Sequence, residues 1–489
     1  MRQKLVAGIA TVTLALGQCG IASAAGIEQN SKAADAVFSD LRKPGSPGCA
    51  MAVFRHGKLV YAKGYGLANL EEQVAIKPSS VFDIGSTSKQ FTAASILLLE
   101  AQGRLGVSDD VRKYIPELPD YGKKITILHL LNHTSGLRDY LTLMELAGIN
   151  TDSVTTDEDA LGIITRQKAL NFDPGSEWLY SNTGFFLLSI IVKRVSGQSL
   201  REFAAANIFS PLGMNHTEYR DDHTALVNSR ALAYEPTEHG QGFRLDVSYF
   251  EQTGDGAVHT SVLDLQKWDE NFYSGAVGGK PLLAEMQEPG KLNNGKALNY
   301  AKGLFIEDYR GLPAVRHGGS WGGYRAELLR FPKQHFSVAC LCNVGNANPE
   351  DRAERVAEVF LGSLMKPKPA EKREIETEPK HKPEMPQAEE QLKAYSGEYF
   401  SEELAAIYRL ELKDGKLRLT VQAGPGHFVR LTSNAKDYLR ATAPGEFELA
   451  ETGVTMHFKP NAGRDPAGFT LDAGRTKGVV FDRVSPGKL

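Results

Sequence analysis

Apolar positions along this chain fall into two periods. The run from Phe91 to Leu99, closed by Gly103, is apolar on almost every face and predicts a buried helix, with Asp83 or Ser86 placed to cap its start. A helix is also predicted from Thr126 through Asn132, another after Ser261-x-x-Asp264 with Leu265 and Trp268 facing inward, and a closing one from Pro349 to Leu361. Alternation by two marks the strands. Cys49 to Phe54 and Leu59 to Gly66 flank a His56-Gly57 turn and read as a hairpin. Strand signals return at Leu304-Phe305-Ile306, Ala314-Val315, Ala326 to Phe331 and Phe336 to Leu341. Residues 107–260 mix short helices with many turn residues. Strands at both ends with helices between predict an α+β unit, its antiparallel sheet assembled from the two ends of the segment.

From Lys366 to Glu390 the composition shifts to Lys, Pro and Glu, with almost nothing to bury, which predicts a solvated linker. Beyond about Leu392 the period is again two. Tyr408, Leu410 and Leu412 precede an Asp414-Gly415 turn, and Leu417, Leu419 and Val421 follow it. Further short strands centre on Phe428, Phe447, Met456, Phe469 and Val479, so the C-terminal segment reads as a small antiparallel β-barrel or sandwich. At the other end, Arg2 and Lys4 precede the apolar Leu5–Leu16 stretch and the small residues Ala22-Ser23-Ala24. That pattern predicts a signal peptide, because the stretch is too short to span a bilayer comfortably. A lipid-modified Cys19 is the less favoured alternative, since bulky Gln18 precedes it. The expected organisation is a signal peptide over 1–24, a main unit over 25–364, a linker over 365–390 and a barrel over 391–489. The mature chain is expected in the bacterial periplasm, with no transmembrane segment.

Composition narrows the partners. The 489 residues carry a formal net charge of -3, which gives no reason to expect nucleic acid or an anionic membrane surface. Of four cysteines, Cys19 is expected to leave with the signal, so Cys49, Cys340 and Cys342 remain. Cys340 and Cys342 share one face of a strand and are poorly placed to bond each other, whereas export permits a bridge from Cys49 to either. No H-E-x-x-H and no paired C-x-x-C is present, so no metal or cofactor is expected.

The chemistry begins at Ser86-Thr87-Ser88-Lys89. Residues three apart share a helix face, so hydroxyl and amine meet at the first turn. A serine needs a neighbouring base to act as a nucleophile, and a lysine held in a dry pocket can lose its proton near neutrality. Two further patterns follow in order: Tyr180-Ser181-Asn182, and His317-Gly318-Gly319-Ser320 ahead of Trp321-Gly322-Gly323-Tyr324. S-x-x-K, Y-x-N and H-x-G, in this order, resemble the penicillin-recognising serine hydrolases: class C β-lactamases, D-alanyl-D-alanine carboxypeptidases, D-aminopeptidases and related esterases. Phe82-Asp83-Ile84-Gly85-Ser86, His129 to Leu137 and Gly254-Asp255-Gly256 fit the same resemblance, which spans roughly residues 45–362. The C-terminal strands resemble the lipocalin-like domains appended to some of these hydrolases.

The resemblance implies roles. Ser86 attacks a carbonyl, Lys89 takes or shuttles its proton, and Tyr180 supplies a second proton-transfer group. To act as a base at neutral pH, Tyr180 must lie near a cation, for which Lys89 and His317 are the candidates. Asn182 holds Lys89 and donates to the substrate amide. Gly318 and Gly319 let the strand approach substrate, and the Ser320 and Ser86 N–H groups form an oxyanion hole. His317 stands where many β-lactamases carry the lysine of K-T-G, a departure that argues against strong β-lactamase activity. His129, His133 and His259 are read as structural, and Arg325 as a surface strand arginine. The expected activity is acyl-enzyme hydrolysis of D-amino-acid peptides, amides or esters, with cell-wall fragments among the candidate substrates. The alternatives are a class C-like β-lactamase and a catalytically silent binding protein of the same fold.

Overall fold

The computed structural model describes residues 24–149, 153–238, 240, 242–368, 383–424, 427–429, 438–450, 452–459 and 465–484. The expected signal sequence through Ser23, Cys19 and most of the expected linker lie outside these residues. Among the described residues, no helix is long and apolar enough to cross a membrane.

Seven antiparallel strands form the main sheet: β1 (Cys49–Arg55), β2 (Lys58–Tyr65), β3 (Tyr300–Ala301), β4 (Leu304–Tyr309), β5 (Leu312–Trp321), β6 (Tyr324–Phe331) and β7 (Phe336–Cys342). Their order is β3-β4-β5-β6-β7-β1-β2, so the N-terminal hairpin adds to strands more than two hundred residues away, as its alternation predicts. The period of two divides β1 between two cores. Met51 and Val53 face Phe38, Val338 and Val356, under α1 (Ala24–Val37) and the closing helix Pro349–Leu361. Ala50, Ala52 and Phe54 face the larger core, whose helices include α2 (Lys89–Ala101), α3 (Asn182–Ser196) and α4 (Val262–Ser274). Phe91 of α2 meets Trp268 of α4 with ring centroids 4.7 Å apart. Ser261 caps α4, as its spacing predicts.

The start of α2 departs from expectation. A tight 3-10 turn, Gly85–Ser88, stands between Asp83 and the helix, so neither Asp83 nor Ser86 caps it. The Asp83 carboxylate accepts the Gly85 N–H at 2.8 Å instead. The Ser86 hydroxyl is thereby left free to face Lys89.

The C-terminal strands close an eight-stranded antiparallel barrel, with the short strand His427–Val429 attached to it. Closure abolishes free sheet edges. The interior is filled by side chains, among them Tyr399, Tyr408, Phe447, Phe469 and Phe481, and Phe469 stacks on Phe481 at 4.6 Å. The barrel docks on the main unit through buried charge: Arg138 pairs with Glu403 at 2.5 Å, both side chains almost wholly inaccessible.

Cys49 and Cys342, directly opposed in the register of β1 and β7, form a disulfide, and Cys340 stays a buried free thiol. The bridge closes a loop of 293 residues and ties the first strand to the last. Replacing both bridged cysteines by alanine is expected to cost about 2–5 kcal/mol of sheet stability. A lowered thermal transition of the variant tests this, and an unchanged one contradicts it.

Candidate active site

A cleft of about 980 Å³ opens over the 3-10 turn, lined by Ser86, Tyr180, Asn182, Asp255, His317 and Arg475. The turn carrying Ser86 sits hard against β5. Gly85 has φ +47°, and a Cβ there would lie 2.7 Å from the Ser320 nitrogen. A Cβ on Gly319 would lie 1.9 Å from the Ile84 carbonyl oxygen. The two glycines thus seat turn and strand against each other, and the Ser320 nitrogen abuts the turn that carries the Ser86 nitrogen. This corrects the expected role of Gly319: its missing side chain makes room for the protein's own backbone rather than for substrate. Gly318 faces the Glu327 carboxylate, 3.1 Å from where its Cβ would be. The Thr87 hydroxyl adds a bond to the His317 carbonyl oxygen at 3.0 Å.

Lys89 is completely buried, and its Nζ has three acceptors: Ser86 Oγ at 3.0 Å, Asn182 Oδ1 at 2.9 Å and the Asp255 carbonyl oxygen at 2.6 Å. Three acceptors match the three donors of an ammonium. Loss of one proton leaves two donors and a lone pair, and the lone pair can then accept the Ser86 O–H. Burial lowers the lysine's pKa to about 7 against the opposing charges of Asp255 and Asp139. The same burial raises the Asp255 carboxyl, so amine and carboxyl titrate as a pair.

Asn182 opens α3 and is itself held: its N–H donates to Asp139 Oδ2 at 2.6 Å. Asp139 also caps the helix Tyr140–Leu146 by accepting the Thr142 N–H at 3.2 Å. Tyr140 donates to Asp255 Oδ2 at 3.1 Å. Gly254 enters this region with φ +103°, and a Cβ there would strike the Phe185 carbonyl oxygen at 2.4 Å.

The Tyr180 ring lies over two cations, Lys89 Nζ at 4.9 Å and the Arg475 guanidinium at 4.6 Å from its centroid. Burial outweighs the nearby Ser86 hydroxyl and the charge of Arg475, which both favour its ionised form, and holds the pKa above the ordinary phenol range. At neutral pH Tyr180 is therefore a proton donor in the cleft, not a ready base.

His317 departs further from expectation. Its Nδ1 lies 2.6 Å from the Gly318 carbonyl oxygen and its Nε2 3.2 Å from the Tyr300 hydroxyl. This pattern suits a neutral ring donating from Nδ1 and accepting at Nε2. Burial, followed by the charge of Lys89, lowers its pKa to about 3. It supplies no cation to Tyr180, whose ring centroid is 6.3 Å away. The cleft thus gathers Ser86, Lys89, Tyr180 and Asn182 and keeps the His317 side chain behind them as wall.

The other histidines serve as supports. The His133 ring packs at a tilt against Tyr180, centroids 4.2 Å apart, and accepts the Ser181 N–H at 3.2 Å. His129 completes the cap of its helix, and His259 is buried beside Ala257. Arg325 donates to the Gly322 and Tyr324 carbonyls at 2.6 and 2.7 Å. Asp222, His223 and Glu251 bring ligand atoms within 4.8 Å of one another at the rim, where His223 Nδ1 and Glu251 Oε1 already bond at 2.7 Å.

Motif reading gave no role to Asp139, Tyr140, Asp255 or Arg475. The helix-cap position of Asp139 and the flanking glycines of Asp255 are signals that could have found those two. Arg475 sits on an ordinary hairpin turn and gives none.

Residues 34–362 match the family described as Beta-lactamase. The chain is 32% identical over 309 residues to "Penicillin-binding protein 4*" of Bacillus subtilis (strain 168), covering 59% of this chain and 66% of the relative. It is 29% identical over 303 residues to "D-aminopeptidase" of Gluconobacter oxydans (strain 621H), covering 62% and 56%. The chain thus spans less than two thirds of either relative's length. Among solved structures, the octameric penicillin-binding protein homologue from Pyrococcus abyssi superposes with TM-score 0.62 at 23% identity, covering 93% of this chain and all of the other, a likeness of fold. Since the family match takes in most of the chain and the whole cleft except Arg475, the chain belongs to the Beta-lactamase family.

Proposed function

We propose that residues 25–364 form an exported catalytic unit that hydrolyses D-amino-acid peptides, amides or esters through an acyl-enzyme on Ser86. The observation that carries this is a fully buried lysine amine 3.0 Å from a cleft-facing serine hydroxyl. Neutral Lys89 takes the Ser86 proton as Oγ attacks the carbonyl carbon. The Ser86 and Ser320 N–H groups receive the developing oxyanion, an interaction worth on the order of 10²–10³ in rate per donor. The proton passes to the leaving nitrogen or oxygen through Lys89 and Tyr180, and water then releases the acyl group along the same route in reverse. Asn182 fixes Lys89 and offers its amide N–H to the substrate. The D-amino-acid preference is supported by the names of the relatives, D-aminopeptidase among them. The basic and apolar start of the chain supports export, as does a disulfide, which persists in oxidising compartments.

Ser86→Ala is expected to lose turnover by on the order of 10³ or more and all covalent labelling by a fluorophosphonate. Retained turnover refutes the assignment, and a wild type that no acylating probe labels points to a silent binding protein. Hydrolysis of D-alanine p-nitroanilide is expected to outpace that of the L-isomer and of nitrocefin; faster nitrocefin hydrolysis would make the protein a β-lactamase. The pH dependence has a definite sign. A lysine whose pKa is lowered to about 7 is a competent base above that pH and is lost as pH falls through it. Acylation rates should therefore rise from pH 5 to 8, and a flat profile contradicts the role of Lys89.

A further inference from the structure

The barrel grips the main unit at the two residues that precede the helix Tyr140–Leu146. Arg138 Nη1 donates to Glu403 Oε1 at 2.5 Å and to Gln167 Oε1 at 2.9 Å. Its Nε and Nη2 donate to the Lys477 and Gly478 carbonyl oxygens at 2.9 and 3.0 Å, at the start of the barrel strand Thr476–Arg483. All of these acceptors except Gln167 belong to the barrel. Glu403 is committed in turn: Oε1 accepts the Lys168 N–H at 2.8 Å and Oε2 the Val480 N–H at 3.0 Å. The next residue is held by the same barrel turn, because the Asp139 N–H donates to the Arg475 carbonyl oxygen at 3.4 Å. Asn171 braces that turn from the main unit. Its Nδ2 donates to the Arg475 carbonyl oxygen and its Oδ1 accepts the Lys477 N–H, both at 2.9 Å.

From these two residues the path to Lys89 is short. The Arg138 carbonyl oxygen accepts the Thr183 hydroxyl at 2.7 Å, and Thr183 Oγ1 accepts the Tyr140 N–H at 2.8 Å. Asp139 Oδ2 accepts the Asn182 N–H at 2.6 Å, and Asn182 Oδ1 accepts Lys89 Nζ at 2.9 Å. Residues 138–140 are thus clamped between the barrel on one side and the start of α3 on the other. Arg138, Asp139 and Thr183 are all buried. A buried ion pair that loses one partner leaves an uncompensated charge, which is costly enough to move the segment or free the barrel turn. Either change reaches Asn182. A misplacement of about 1 Å near a reacting group can cost on the order of 10²-fold in rate.

We infer that docking of the barrel primes the catalytic base: the buried Arg138–Glu403 pair, acting through Asp139 and Asn182, sets Lys89 against Ser86. Both members of the pair are positioning residues, remote from substrate and from the reacting atoms. The groups that face Lys89 are Asp139, Asp255, Tyr180, the neutral His133 and His317, and Arg475, whose guanidinium lies 4.6 Å from the Tyr180 centroid. Among them Arg475 alone comes from the barrel. Burial and, after it, the Arg475 charge lower the Lys89 pKa, against Asp255 and Asp139. A loosened barrel withdraws that charge and admits water, and both changes raise the pKa of the amine. The inference rests on the proposed acyl-enzyme at Ser86 and adds what controls its base.

The test follows the rate of fluorophosphonate labelling of Ser86 in the full chain from pH 5 to 9. In wild type the rate should rise through a midpoint near 7. Glu403→Gln should slow labelling at pH 7 by about 10- to 100-fold and move the midpoint up by about one unit. Partial unfolding alone would reduce the labelled amount at every pH and leave the midpoint in place. Asn171→Ala, at a half-buried site, releases the same turn without stranding a charge, and should shift the midpoint in the same direction by less. It carries the test if Glu403→Gln does not fold. Glu402→Ala breaks only the exposed Lys168–Glu402 pair at the same interface and should change neither rate nor midpoint. An unchanged midpoint in the folded variants, whatever their rate, overturns the inference and leaves the acyl-enzyme standing. A wild type that fails to label refutes the acyl-enzyme reading instead.

Discussion

The site depends on one buried amine. Lys89 joins a hydroxyl, an amide and a backbone carbonyl that come from three separate parts of the chain. An unpaired ammonium in that interior would be prohibitively costly, so the three acceptors must arrive together. Each has its own reason to be where it is. Ser86 is set by a turn that only glycine neighbours can seat against β5. Asn182 is set by a helix start bound to Asp139. The Asp255 carbonyl is set by a glycine-flanked loop passing over α3. Even so, desolvation outweighs the nearby carboxylates, and the proton is held loosely enough for the amine to act as a base.

The same balance explains the aromatic surroundings. Burial lowers the basicity of His317 and His133 and raises the pKa of Tyr180 and Tyr300. Four groups that could carry charge in water are thus neutral around one that alternates. A neutral aromatic wall removes competing titrations on that side of the amine, while Asp255 and Asp139 supply the opposing charge. Arg475, at the exposed mouth, is a permanent charge next to Tyr180, and it comes from the other sheet system of the molecule.

Much of this was legible in the residues. The hairpin at 49–65 and the helix at 349–361 followed from period and caps, and two short motifs named Ser86, Lys89, Tyr180 and Asn182, which the fold brings to one cleft. What escaped reading has physical causes. Asp83 and Ser86 looked like helix caps because a 3-10 turn has the same composition as a helix start. His317 looked like a cation because a motif carries no measure of burial. Gly319 looked like space for substrate because a glycine does not say which backbone approaches it. Arg475 was invisible because its position depends on how a separate barrel docks, and that rests on Arg138 and Glu403, 265 residues apart.

The central claim is that Lys89 surrenders its proton near neutrality. It is tested most directly by NMR titration of the Lys89 side chain in protein carrying 13C-labelled lysine, with the resonance assigned through its loss in Lys89→Arg. The account predicts a midpoint near 7, shared with a second group as Asp255 titrates. A single transition at the ordinary lysine value of about 10.4 would contradict it.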